Sequence, residues 1–124
     1  MIDPRDFAKR YIAVWNESDA ETRRKNIELI WSEDIVHFTP MRQVHGLVEM
    51  GQRIVTNYDK YVGEGRFIFK LSDHADGHHN VIKFNWVMVP HNGGLAMAAG
   101  STFVVLDDDG RIRLDYHFNE ELPQ

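Results

Sequence analysis

The chain has 124 residues, with 14 Lys and Arg against 19 Asp and Glu, a net charge of −5 at pH 7 and no cysteine. That length gives one domain, residues 1–124, with room for a buried core, and the acidic balance argues against a protein that tracks nucleic-acid phosphates. Disulfides and thiol nucleophiles are excluded, no apolar run spans a bilayer, and "MIDPRDFAKR" lacks the apolar stretch of a signal peptide, so a cytoplasmic location without a membrane partner is expected.

The first half reads as helical. Phe7, Tyr11, Val14 and Trp15 recur at helical spacing and line one face of a helix ending near Asn16. Ser18 or Asp19 can cap a second helix, which buries Ile27, Ile30 and Trp31. "DIVHF" (34–38) is a short strand stopped by Pro40. A third helix starts near Gly46 and carries Leu47, Met50, Ile54, Tyr58 and Tyr61 on one stripe. From residue 66 the period changes to two. "RFIFKLSD", "VIKFNWVMV", "LAMAAGSTFVVL" and "RIRLDYHF" alternate, with turns expected at Asp76-Gly77, "HNGG" and Asp109-Gly110. Helices first and strands later predict an α+β fold, three N-terminal helices on a curved antiparallel four-stranded meander plus a short strand. Gly100, in mid-strand, predicts a bend or a close backbone approach.

"LDDDGRIRLDYHF" (106–118) needs separate treatment. An EF-hand register with Gly110 at position six puts Val105 at position one and Tyr116 at position twelve, so a calcium loop is excluded. The acids instead mark a hairpin turn. Beyond it, Asp115 and His117 share one face of the strand. Ile112, Leu114, Tyr116 and Phe118 form the more apolar alternate face, and periodicity alone leaves the acid and the histidine in solvent or at a dimer contact. His74, His78 and His79 cluster at a turn without completing a metal site, and no metal or cofactor is expected. Ser-His-Asp catalysis lacks a nucleophile elbow, and Gly93-Gly94 joins strands instead of opening a phosphate-binding helix.

The order of elements, together with "RYIAVWNESD" (10–19), "W-x-x-D-I-V" (31–36), "V-H-G" (44–46) and "G-S-T-F-V-V-L-D-D-D-G-R-I" (100–112), resembles the nuclear-transport-factor-2-like superfamily, in its SnoaL-like and ketosteroid-isomerase-like branches. The resemblance implies a cone whose sheet wraps a mostly apolar pocket, and a homodimer through the outer sheet face, where Val81, Val87 and Val89 mix with Lys83 and Asn85. Tyr11 matches the first-helix tyrosine that serves ketosteroid isomerases as an oxyanion donor. Thr39 stands where their general-base aspartate would be, and Thr102 where their second, acidic donor would be, so the chain is not a ketosteroid isomerase. His117 matches the position of the acid that SnoaL-like cyclases direct into the pocket.

On that resemblance His117, Asp115 and Tyr11 are the candidate catalytic residues, with Trp86, Phe38, Tyr58, Thr102 and Trp15 as ligand-binding walls. Hairpin register from the turn predicts Thr102 opposite Asp115 and Gly100 opposite His117. The carboxylate is expected to keep the His117 pKa ordinary or raised. His37 and His45 would flank the pocket entrance in surface or capping roles. The implied function is cofactor-free acid/base chemistry, of the cyclase, isomerase or hydrolase kind, on a small, mostly apolar carbonyl compound. The alternative is a non-catalytic ligand-binding or dimerisation module of the same fold.

Overall fold

Residues 2–122 are described by the structure, a computed structural model. Asp3 caps α1 (Pro4–Asn16), accepting from the Arg5 and Asp6 amides, and Pro4 opens the helix where its missing N–H costs nothing. Phe7, Ala8, Tyr11, Ile12, Val14 and Trp15 are buried along its inner face. Asp19 caps α2 (Ala20–Ile30) through the Thr22 amide at 2.8 Å. Trp31, expected at the end of this helix, is the fully buried first residue of β1 (Trp31–Thr39). After a turn at Pro40, β2 (Arg42–His45) folds back on β1, and Gly46, with φ +81°, opens α3 (Gly46–Asn57). One wider turn of π-helix (Tyr58–Val62) extends α3.

The strands β3 (Phe67–His78), β4 (Val81–Pro90), β5 (Ala98–Leu106) and β6 (Ile112–Glu120) form the expected antiparallel meander, but the sheet is larger than the sequence indicated. It has six strands in the order β2-β1-β6-β5-β4-β3, and β1 runs parallel to β6. That pairing joins segments about 80 residues apart and leaves no local mark in the sequence. The first hairpin also turns later than expected. Asp76 and Gly77 pair with Lys83 and Ile82, and the chain reverses at His79, whose φ is +54°.

The last hairpin decides the site. Asp107 Oδ1 accepts from the Asp109 and Arg111 amides at 2.9 and 3.0 Å, so one of the three acids organises the turn. Leu106 pairs with Ile112, but the next residue back, Val105, pairs with Leu114. Arg113 is therefore the extra residue of a β-bulge. Downstream of it the register is Thr102↔His117 and Val104↔Asp115, correcting the register predicted from an undistorted hairpin. The bulge also resolves the conflict of faces: Ile112 points inward above it, and Asp115 points inward below it.

Candidate active site

Three elements deliver the polar cluster. Tyr11 and Trp15, one turn apart on α1, face the sheet. Asp115 and His117 descend from β6 after the bulge, and His37 arrives from β1, paired in register with Asp115. Asp115 and His37 are fully buried. The Tyr11 hydroxyl lies 2.8 Å from Asp115 Oδ2 and 2.7 Å from His117 Nε2, and Trp31 Nε1 donates to the same Oδ2 at 3.0 Å. His37 Nδ1 approaches Asp115 Oδ1 to 3.2 Å, but too poorly aligned to count as a hydrogen bond.

One proton assignment accounts for the contacts of the Tyr11 hydroxyl and Asp115 Oδ2. Asp115 Oδ2, an acceptor only, takes the Trp31 N–H and the Tyr11 O–H. The Tyr11 oxygen then accepts from His117 Nε2–H. That tautomer leaves the Nδ1 lone pair of the neutral imidazole without a hydrogen bond from the described residues. Burial pushes the Tyr11 phenol up, reinforced by the charge and hydrogen bond of Asp115, so Tyr11 stays a donor. Burial alone would raise the Asp115 carboxyl; the approach of His37 and the Trp31 N–H are among the influences that outweigh it and hold the group below the usual range. His117 is pushed down to about 3 by burial, against the pull of Asp115, with His37 and Arg53 adding repulsion. This corrects the ordinary-to-raised value expected from the carboxylate alone. With 12% of its side chain exposed, toward the cavity, His117 feels burial most strongly when the cavity is dry.

Beside the cluster lies a cavity of about 60 Å³ lined by Tyr11, Ile12, Trp15, Arg53, Asn57, Phe69, Trp86 and His117. It opens into a wider mouth of about 360 Å³ that shares Arg53, Asn57, Phe69, Trp86 and His117. Trp15 and Trp86 thus line the cavity. Thr102, fully buried, stands behind the wall and accepts from Trp86 Nε1 at 3.2 Å. Phe38 does not reach the cavity. It alternates with Ile35 and His37 and stacks on Tyr116 at 4.9 Å, on the opposite sheet face. Tyr58 is also absent from the lining, because its ring packs under the Arg23 guanidinium at 4.6 Å. Gly100 faces Trp86 and Asn119, not His117, and a Cβ there would fall on the Trp86 ring. His45 is exposed, bonded to Gln43.

Trp31 of the cluster and the apolar lining residues Ile12 and Phe69 were not among the candidates, nor were three polar residues, each of which had a signal. His37, expected at the surface, alternates in step with buried Ile35. Arg53 and Asn57 follow Met50 at i+3 and i+7 and share the stripe of Met50 and Ile54. Arg53 Nε and Asn57 Oδ1 are buried without a partner. A larger groove of about 540 Å³ between α2 and α3, apolar along Ile27, Leu47 and Val48, shares no residue with this site.

The ligand atoms of His37, Asp115 and His117 all lie within 4.8 Å of one another, a set that could hold a divalent first-row cation. The fit is imperfect, because the His117 nitrogen nearest the carboxylate is engaged by Tyr11. The histidines of the first hairpin stop at a His78–His79 contact of 3.0 Å.

No protein-family model matches the sequence, and no curated protein sequence matches it either. Solved structures do. A candidate polyketide cyclase from Sinorhizobium meliloti is 12% identical over 91% of this chain and 94% of its own, with TM-score 0.69. A Mycobacterium tuberculosis epoxide hydrolase of the LEH-like kind is 12% identical over 93% and 80%, with TM-score 0.63; both likenesses are of fold alone. A candidate isomerase of the SnoaL-like family from Agrobacterium tumefaciens is 30% identical over 95% of this chain and 97% of its own, with TM-score 0.86. At that identity and coverage, the chain belongs to the SnoaL-like family.

Proposed function

We propose that this protein catalyses cofactor-free proton transfer on a small carbonyl compound, with His117, Tyr11 and Asp115 as the working groups. The observation that carries the reading is the relay itself: a tyrosine hydroxyl within 2.8 Å of a buried carboxylate and 2.7 Å of an imidazole at the cavity wall. His117 Nδ1 takes the proton from the carbon next to the carbonyl. The Nε2–H bond to Tyr11 tightens, and Asp115, through Tyr11, offsets the charge that develops on the ring. Trp15, Phe69 and Trp86 hold the apolar body of the substrate. The similar structures are named as a candidate isomerase, a candidate polyketide cyclase and an epoxide hydrolase, and proton transfer is a step common to reactions of these kinds.

Exchange of α-protons for deuterium in a panel of small ketones and β-keto esters, followed by NMR, tests this. Acceleration over buffer by the protein, lost by about a hundredfold or more in His117→Ala and Tyr11→Phe, is the expected result. Zinc should inhibit, since an ion on His37, Asp115 and His117 displaces the Nε2–H that Tyr11 accepts and breaks the relay; activation by zinc would replace this reading with a metal-dependent one. A second reading, a pocket that binds without converting, is favoured by the low His117 pKa of about 3, far from that of an efficient base at neutrality. Ligand binding without any exchange would select it.

We further propose a homodimer through the outer sheet face. Phe118, 53% exposed, and the half-buried Phe38, Phe103 and Tyr116 form an aromatic patch there beside Val81 and Val87.

A further inference from the structure

The mouth of the cavity carries a charge pattern that an apolar ligand would leave unused. Arg42, Arg53 and Lys60 line it, and no acidic residue does, although the chain as a whole carries a net charge of −5. None of the three forms an ion pair among the described residues. Asp115, the carboxylate of the neighbouring cluster, is sealed behind Tyr11, Trp31 and His37 and makes no ion pair with Arg53. The Arg53 guanidinium carbon lies 5.5 Å from the centre of the Trp15 ring, while Nε is buried with no partner. One turn further along α3, Asn57 Oδ1 is also buried without a partner, an acceptor that a donor group on the ligand would satisfy. A buried donor without a partner costs free energy that a ligand acceptor would return. A planar guanidinium held against an indole suits a carboxylate, whose two oxygens match its fork.

We propose that the pocket selects an anionic ligand, with an apolar or aromatic body against Trp15, Phe69 and Trp86 and a carboxylate received by Arg53. Arg42 and Lys60 draw the anion toward the mouth. This deepens the functional reading above and rests on it for the use of the same cavity: the expected small carbonyl compound gains a charged end that fixes its orientation toward His117.

The test pairs carboxylates with their own amides: benzoate, 3-phenylpropanoate and hexanoate against the three neutral counterparts, titrated at low ionic strength and followed by tryptophan fluorescence and NMR. The carboxylates should bind about tenfold or more tightly than the amides, with a preference that falls as salt is added. Arg53→Gln should abolish the preference by weakening carboxylate binding far more than amide binding, Arg53→Lys should retain part of it, and Arg42→Gln should weaken it. Equal binding of acids and amides, a preference that survives Arg53→Gln, or failure of every carboxylate to bind at about 10 mM would overturn the proposal. Failure of the catalytic reading looks different. There the anion preference persists, in wild type and in His117→Ala alike, while no substrate exchanges protons. Thermal melts of each variant guard against misfolding.

Discussion

Burial and a neighbouring carboxylate pull the His117 imidazole in opposite directions, and burial wins by enough to leave the ring neutral at pH 7. The sign of the consequence follows from linkage. With a folded pKa near 3 and an ordinary value near 6.5 when unfolded, the unfolded chain binds the extra proton between those limits, so stability falls as pH drops from 6.5 toward 3. Between pH 6.5 and 4 this group should cost about 3 kcal/mol. Asp115 acts in the same sense at lower pH, because its depressed carboxyl stabilises the fold only while ionised. Denaturation at pH 7 and pH 4 should therefore show a steeper loss in wild type than in His117→Gln; equal losses would mean that His117 titrates normally. Activity should likewise hold level through pH 6.5, where an ordinary histidine would produce a shoulder. Gly100 is the other residue set by its surroundings alone. A methyl there would strike the Trp86 ring and come within 2.8 Å of the Phe118 carbonyl, so Gly100→Ala should destabilise by about 1–3 kcal/mol and shift Trp86 out of the cavity wall. An unchanged melt and unchanged Trp86 fluorescence would contradict that close approach.

Among the elements, β6 carries the largest consequence for the smallest irregularity. Its alternation, followed from Ile112, would turn Leu114, Tyr116 and Phe118 inward and Asp115 and His117 out. The bulge at Arg113 inverts the lower half, so one strand offers an apolar residue to the core at Ile112 and an acid and a histidine to the cavity. Deleting Arg113 removes the unpaired residue, so Leu114 follows Ile112 directly and regular alternation keeps Asp115 and His117 inward. The expected outcome is a variant that retains the Tyr11–His117 contact, visible as the His117 NMR signature of the wild-type network. Loss of that signature in a folded deletion variant would contradict the assignment of Arg113 as the extra residue. On α1, by contrast, a regular helix suffices. Trp15 is 5% exposed, and Trp15→Ala should cost about 3–5 kcal/mol in a melt.

For the molecule as a whole, the two faces of one sheet divide the labour. The inner face packs on the helices and lines the cavity, whereas the outer face leaves Phe118 53% exposed beside half-buried Phe103 and Tyr116. If that patch joins two copies, Phe118→Asp should shift a dimer toward monomer in sedimentation at micromolar concentration without changing the melt of the monomer unit. A wild-type monomer under the same conditions would remove the proposal. None of the helices among the described residues is long and apolar enough to cross a membrane.

The local signals in the chain were strong wherever neighbours in sequence are neighbours in space. The caps at Asp3 and Asp19, the stripe from Phe7 to Trp15 and the four alternating strands all follow from side chains a few residues apart. The sequence on its own determined most of the helical stretches, the alternating strands and the resemblance to the family. Tertiary structure decided what depends on distant segments. The parallel pairing of β1 with β6 carried His37 to Asp115, and the Arg113 bulge chose the face of His117. Phe38 was lost to the outer face and Tyr58 to Arg23. Burial, a property of the assembled core, set the charge of the histidine against the carboxylate beside it in sequence.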